Sequence, residues 1–309
     1  MNQRIIKPKK LKLGDTLGII APASPLNESS FELAISKVKD LGFKPKYSES
    51  ARQFTGFLAG DDQTRLNDLH EMFEDDEVDG VISLRGGYGS ARLLNSIDYQ
   101  LIKKHPKVFI GYSDITALLS AFYVKTGLVG FHAPMAGSSF NPLTINSLVS
   151  TITGETIPKI TPGDSFQVLN ETTKTTVFEG AVIGGNLSIL SSLLGTPYDY
   201  DYQDKIVVIE EVGEAPYRID RMLTQLINSG KLSQVKAVVF GEFNNCDAKS
   251  NGDPSLHEVL KERMYRAKVN AVYGLEFGHI VNNSTLPIGI NAQIDFKTGE
   301  LQYLESPLS

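Results

Sequence analysis

Chemistry in this 309-residue chain would start from a few well-placed polar side chains. Ser113 sits in Gly111-Tyr112-Ser113-Asp114-Ile115, where an apolar strand runs straight into a helix. A serine at such a turn exposes its hydroxyl, and the amide of Asp114 at the helix N-terminus points the same way, so a nucleophile and half an oxyanion hole come together. The match to the hydrolase nucleophile elbow is partial, because Ile115 stands at its second glycine. Taken alone, the pentapeptide reads more simply as a helix cap. Glu210 and Glu211 follow Val207-Val208-Ile209, just past a buried strand, where a carboxylate can hold an imidazole in one tautomer or merely cap an acidic turn. His132 after Gly130-Phe131 and His279 after Phe277-Gly278 end apolar runs, the position from which a loop side chain faces a crevice or only satisfies local hydrogen bonds.

The glycines of Arg85-Gly86-Gly87-Tyr88-Gly89 let a ligand approach the backbone closely, as the second half of an oxyanion hole requires; a tight strand-to-helix turn uses the same freedom. Nucleotide binding is poorly supported, since Arg92 occupies the third glycine position of a dinucleotide fingerprint and no Gly-Lys-Ser/Thr follows. His70, His105 and His257 have polar neighbours and read as surface residues. With no histidine pair at helical spacing and a single cysteine, Cys246, neither a zinc site nor a disulfide framework is expected, and the cysteine reads as an inert thiol. No metal or organic cofactor is called for.

Thirty Lys and Arg against 36 Asp and Glu leave a net charge of -6, without the basic surplus that nucleic-acid binding exploits. No apolar run reaches the ~20 residues needed to span a bilayer. Arg4, Lys7, Lys9, Lys10 and Lys12 before Leu17-Gly18-Ile19-Ile20 and Ala21-Pro22-Ala23 imitate a secretory signal, but Asp15 interrupts it, so a first buried strand and a cytoplasmic location are expected.

These residues need elements to carry them. Thr16 to Ala23 reads as a strand, followed by a helix capped by Asn27 with Phe31, Ala34, Ile35, Val38 and Leu41 on one face. Asp61 caps a second helix; Val78 to Leu84 is a strand, a helix through Ala91, Leu93 and Leu94 follows, Lys107 to Gly111 is a strand, and Asp114 to Tyr123 a helix. This alternation predicts a parallel sheet covered on both faces. Length implies two domains. From Asn141 to Glu179 threonine, proline and glycine are frequent, no long helical face is evident and short alternating stretches such as Phe166 to Leu169 read as edge strands or loop, which predicts an N-terminal α/β domain over residues 1–150, a linker over 151–178 and a C-terminal β/α domain over 179–309. In the latter, the helix after Pro216 carries Ile219, Met222, Leu223, Leu226 and Ile227 on one stripe, and Thr285 to Leu304 reads as a closing hairpin around Lys297-Thr298-Gly299-Glu300.

In order, Ala21-Pro22-Ala23-Ser24, Leu84 to Gly89, Gly111 to Thr116, Gly184-Gly185-Asn186-Leu187, Ile209 to Glu214, and Phe277-Gly278-His279 with Leu286-Pro287-Ile288-Gly289 span nearly the whole chain. Together they resemble the LD-carboxypeptidase family of serine peptidases, the muramoyltetrapeptide carboxypeptidases, which also holds the microcin C immunity peptidases. The resemblance implies a flavodoxin-like N-terminal domain with a parallel sheet and a smaller, swivelling-type β/α C-terminal domain. It implies a triad of Ser113, Glu210 and His279; Ile209-Glu210-Glu211 stands where the family has Leu-Glu-Asp, which leaves two adjacent glutamates to choose between, and Glu210 is preferred over Glu211. Amides of Asp114 and Gly87 would form the oxyanion hole, and Arg85, Gly86, Tyr88, Asn186 and Arg218 are candidate substrate contacts.

The implied reaction removes terminal D-alanine from an L-centred diaminoacid in peptidoglycan-derived tetrapeptides through an acyl-enzyme, in cytoplasmic cell-wall recycling, with a homodimer suggested by the family. Two alternatives stand beside it. One is an immunity-type peptidase acting on a microcin C-like acyl-adenylate, disfavoured by the absence of tryptophan for stacking a base. The other is a non-catalytic two-domain small-ligand binding protein, in which Ser113 and His279 need not converge.

Overall fold

The computed structural model describes residues 4–250 and 252–309. The first half alternates β1 (Thr16–Ile20), α1 (Glu28–Asp40), β2 (Lys44–Tyr47), α2 (Asp62–Glu74), β3 (Gly80–Ser83), α3 (Tyr99–Lys104), β4 (Val108–Gly111), α4 (Thr116–Thr126) and β5 (Gly130–His132). Then come α5 (Pro142–Thr153), β6 (Lys159–Ile160), β7 (Pro162–Asn170), β8 (Val177–Asn186), α6 (Leu187–Leu193), β9 (Ile206–Val212), α7 (Pro216–Asn228) and β10 (Ala237–Asn244). The chain ends with α8 (Leu256–Ala267), β11 (Ala271–Leu275), β12 (Leu286–Ile288), β13 (Asn291–Asp295) and β14 (Glu300–Tyr303).

Strand alternation explains the first sheet. Leu17, Ile19, Ile82, Val108 and Ile110 face one core with Phe31, Ala34 and Val38 of α1. Ile20, Val81 and Phe109 face the other, with Leu69, Met72 and Phe73 of α2 and Leu118 and Phe122 of α4. Period-two apolar strands clothed on both faces give a doubly wound layer. Its parallel strands run in the order β2-β1-β3-β4-β5, the flavodoxin order, with the switch point between β1 and β3. Asn27 and Asp61 cap α1 and α2 as their positions suggest, accepting from Ser30 N and Thr64 N.

The second sheet has the order β6-β14-β13-β8-β9-β10-β11-β7 among the described residues, and only its β8-β9-β10-β11 centre is parallel. Three segments differ from the sequence expectation. Residues 151–178 are more than a linker: β6 pairs with β14 and β7 with β11, so this stretch supplies both edges of the second sheet, and β7 includes the alternating Phe166 to Leu169 read as an edge strand or loop. Asn141 caps α5 through Thr144 N with Pro142 in its first turn, and its apolar stripe of Leu148 and Ile152 is hidden in the sequence among serines and threonines. The segment around Ala91 forms only a short 3₁₀ turn, Ser90–Leu93.

One further departure concerns the site. The expected hairpin of Thr285 to Leu304 is narrower, β13 with β14, while β12 joins the first sheet antiparallel to β5. The β11–β12 connection, which carries His279, therefore passes from one sheet to the other. No helix among the described residues is long and apolar enough to cross a membrane.

Candidate active site

Both sheets send their parallel-strand C-terminal ends to one place. On the first, β1 leads into Ser24, β3 into Gly86 and Gly87, and β4 into Ser113, all around the switch point where open α/β sheets bind ligands. On the second, β8, β9, β10 and β11 lead to Asn186, Glu210, Asn244 and His279. The halves meet through Tyr112, whose ring centroid lies 4.7 Å from that of His279, and through Thr116 Oγ1, which accepts from Asn186 N at 3.1 Å.

Ser113 adopts φ of +62°, a left-handed conformation that costs a non-glycine residue about 1–3 kcal/mol and marks a strained strand-to-helix elbow. Gly86 packs directly on it: a Cβ at Gly86 would stand 2.9 Å from both Cβ and Oγ of Ser113 and 3.3 Å from Asp114 N. Only a glycine leaves that volume open for a reacting group. The elbow and the glycine loop are tied together by Asp114, whose carboxylate accepts from Ser90 N at 2.9 Å and whose carbonyl accepts from Ser90 Oγ at 2.7 Å. Beneath the loop, the buried guanidinium of Arg65 donates to Pro22 O at 2.5 Å and Gly89 O at 2.9 Å and pairs with Asp62. Ser24 Oγ accepts from Tyr88 N at 3.2 Å.

Glu210 Oε2 lies 2.5 Å from His279 Nδ1. Gly278 makes the approach possible, with φ of +107° and no room for a Cβ, which would stand 2.8 Å from Glu210 Cβ. Burial pushes the Glu210 carboxyl up, but the imidazoles of His132 and His279 outweigh it and hold it at about 2. An ionised carboxylate only accepts, so His279 Nδ1 donates the proton of this bond and Nε2 is left free on the other side of the ring. Burial lowers the His279 imidazole, yet Glu210, with a smaller contribution from Glu211, lifts it above its ordinary value. Asn244 Nδ2 donates to His279 O at 2.9 Å, and Asn283 Oδ1 accepts from Gly278 N at 3.0 Å, pinning the loop. A cavity of about 530 Å³ opens beside His279, lined by Tyr112, Ser138, Val212, Asn244 and Val281.

Glu211 turns to the opposite face. It accepts from Asn186 Nδ2, Val212 N, and both N and Oγ of Ser188. Among the expected residues, Ser113, Asp114, Gly86 and Gly87 thus form one cluster, and Glu210 with His279 another. Tyr112 joins the two; Ser113 Oγ itself makes no hydrogen bond to His279. Asn186 donates to Glu211 and caps Ile189 N, so both ends of its amide are already engaged in the fold. Arg218 is turned to Glu214 and Tyr217, and neither it nor Arg85 lines the cavity. Arg85 instead lies exposed beside Gly87, donating to Pro25 O at 3.3 Å, and Tyr88 is half exposed with Phe57 edge-on at 5.5 Å. Arg65, Tyr112, Asn244 and Asn283 went unnoticed in the sequence; the one signal was for Arg65, a cation three residues after Asp62 at the start of an otherwise apolar-faced helix. Cys246 is fully buried, its thiol pushed up to about 11 chiefly by burial, as an inert thiol should be.

Models of the LD-carboxypeptidase N-terminal domain and C-terminal domain match residues 17–133 and 179–294. The chain belongs to the LD-carboxypeptidase family. A Bacillus subtilis relative named "Probable murein peptide carboxypeptidase" is 40% identical over 304 residues, covering 94% of this chain and 91% of that protein. The crystal structure of muramoyltetrapeptide carboxypeptidase from Oxalobacter formigenes superposes with a TM-score of 0.81 at 33% identity, covering 93% of this chain and 97% of the other. The microcin C7 self-immunity protein MccF in its apo state reaches a TM-score of 0.88 over 98% of this chain and all of the other, at 24% identity, a likeness of fold. This LD-carboxypeptidase family member therefore has the two-domain α/β architecture of its relatives and belongs among the carboxypeptidase hydrolases.

Proposed function

We propose that the chain is a serine LD-carboxypeptidase that removes the terminal D-alanine of peptidoglycan-derived tetrapeptides. The observation that carries this reading is the buried Glu210–His279 pair lying one aromatic ring away from a strained serine elbow. In the proposed reaction His279 Nε2 takes the proton of Ser113, whose oxygen attacks the carbonyl before the terminal D-alanine; the same imidazole then protonates the leaving amine. Catalytic hydrogen bonds often tighten only when substrate is bound, and here Ser113 and His279 would close on each other in that complex. The oxyanion would be held by the amides of Asp114 and Gly87, over the volume that Gly86 leaves open. Water activated by His279 then releases the tetrapeptide's remaining tripeptide from Ser113.

A carboxypeptidase must also hold a free carboxylate. Arg85, exposed beside Gly87, is the arginine assigned to it, since a guanidinium fork matches a carboxylate in two hydrogen bonds. A place in cytoplasmic cell-wall recycling follows from the substrate. The immunity-type alternative has likeness to MccF in sequence as well as in fold behind it, but the chain lacks a tryptophan to stack a nucleobase. Incubation with a muramoyl-free tetrapeptide, followed by mass spectrometry, tests the reading. Loss of one alanine by the wild type and none by Ser113→Ala is expected; an intact tetrapeptide, or equal cleavage by the variant, would reject it.

A further inference from the structure

His132 closes β5 and is fully buried, and both its ring nitrogens lack a hydrogen-bond partner within ordinary reach. Glu210 Oε1 is in the same condition. The two orphans face each other, His132 Nε2 standing 3.7 Å from Glu210 Oε1, while the other carboxylate oxygen takes His279. Unpaired polar atoms inside a protein are costly, and two of complementary character left within a small movement of each other mark an interaction that serves the site. The rings of Tyr112, at 5.8 Å, and Phe277, at 6.4 Å, pack edge-on around the His132 ring.

Resting on the serine-hydrolase reading above, we infer that His132 is a positioning residue: its Nε2–H holds Glu210 Oε1 so that the carboxylate keeps Oε2 on His279, and so tempers the basicity of His279. Glu210 is thereby a carboxylate shared by two imidazoles, one delivered by each sheet. His132 is sealed from substrate, so it acts only through Glu210. The titratable groups around that carboxylate are His132 from β5, His279 from the β11–β12 connection, Tyr112 after β4, and the adjacent Glu211 on β9. Tyr112 stays protonated and Glu211 is bound on the far face, so the two imidazoles set the local balance. Drawing carboxylate charge toward His132 leaves less for His279, and removing His132 therefore raises the pH at which His279 becomes a free base.

The test combines kinetics with imidazole NMR on the full chain. His132→Leu should lower kcat about 10- to 100-fold, the loss expected when a buried charge forfeits one hydrogen bond, with KM within twofold. Its acid limb should move to higher pH, and His132→Gln, whose amide can donate from nearly the same place, should recover part of both. Unchanged kcat and acid limb in His132→Leu would overturn the inference. A second reading needs no variant to fold: nitrogen shifts of wild-type His132 should show a proton on Nε2, and a proton on Nδ1 alone would also overturn it. Failure of the underlying reaction looks different, because then the wild type itself leaves the tetrapeptide intact while the NMR still reports which nitrogen of His132 is protonated.

Discussion

Glu210 and Glu211 are neighbours on one strand, both buried, and they live in opposite worlds. Strand alternation sends them to opposite faces of β9. Glu211 meets four conventional donors, three at the start of α6 and the fourth the Val212 amide of its own strand, and burial leaves its carboxyl raised above the ordinary value. Glu210 meets only imidazoles, keeps one oxygen without a hydrogen bond, and is nonetheless held ionised. A fully satisfied buried carboxylate stiffens the fold. A carboxylate whose partners can themselves gain or lose protons is poised for chemistry, and this contrast, more than burial, separates the working face of the strand from the structural one.

The contrast can be broken by substitution. The largest effect is expected from Ser113→Ala, which leaves both glutamates in place but removes the proposed nucleophile; turnover should fall about a million-fold, measured by release of D-alanine. Glu210→Gln should lower kcat about 10⁴-fold, because an amide no longer enforces the working tautomer of His279. The sign of its pH effect is fixed by the charge removed. Glu210 lifts His279 above its ordinary value, the base works only when neutral, and activity therefore rises on the alkaline side of that raised value; without the carboxylate the acid limb should move to lower pH. A limb that stays put would mean that Glu210 does not govern His279.

Gly86→Ala should come next, lowering kcat about 100- to 1000-fold by crowding Ser113 Oγ and the Asp114 amide with a methyl group. Glu211→Gln should be the mildest for catalysis. It turns an acceptor into a donor opposite Ser188 or Asn186 and should cost about 1–3 kcal/mol in denaturant unfolding, while the acid limb of the pH profile moves to lower pH by much less than in Glu210→Gln, because Glu211 adds only the smaller part of the lift on His279. A Glu211 variant that moved the limb as far as Glu210→Gln would erase the distinction between the two faces.

How far these residues could be read beforehand depended on whether their signal was local. The Ser113 elbow is local, an apolar strand meeting a helix start, and the caps at Asn27 and Asp61 are local too. The pairing of Glu210 with His279 joins residues 69 positions apart, and it was legible only through the ordered family motifs. His132 could be read either as a crevice histidine or as one satisfying local hydrogen bonds, and nothing in Gly130-Phe131-His132 announces that its neighbour would be a glutamate from the other sheet. The crossing of β12 into the first sheet is invisible for the same reason: Leu286-Pro287-Ile288 reads equally well as the beginning of a hairpin, and only the edge offered by β5 decides its partner. Helix α5 escaped because its polar residues are serine and threonine, which as readily describe a loop.

The most direct measurement is active-site labelling with a serine-reactive fluorophosphonate, read by peptide mass spectrometry. The adduct should fall on Ser113, form much more slowly in Glu210→Gln, and appear at the normal rate in Glu211→Gln. Labelling of another residue, or equal rates in the two glutamate variants, would contradict the claim that Glu210 and His279 activate this serine.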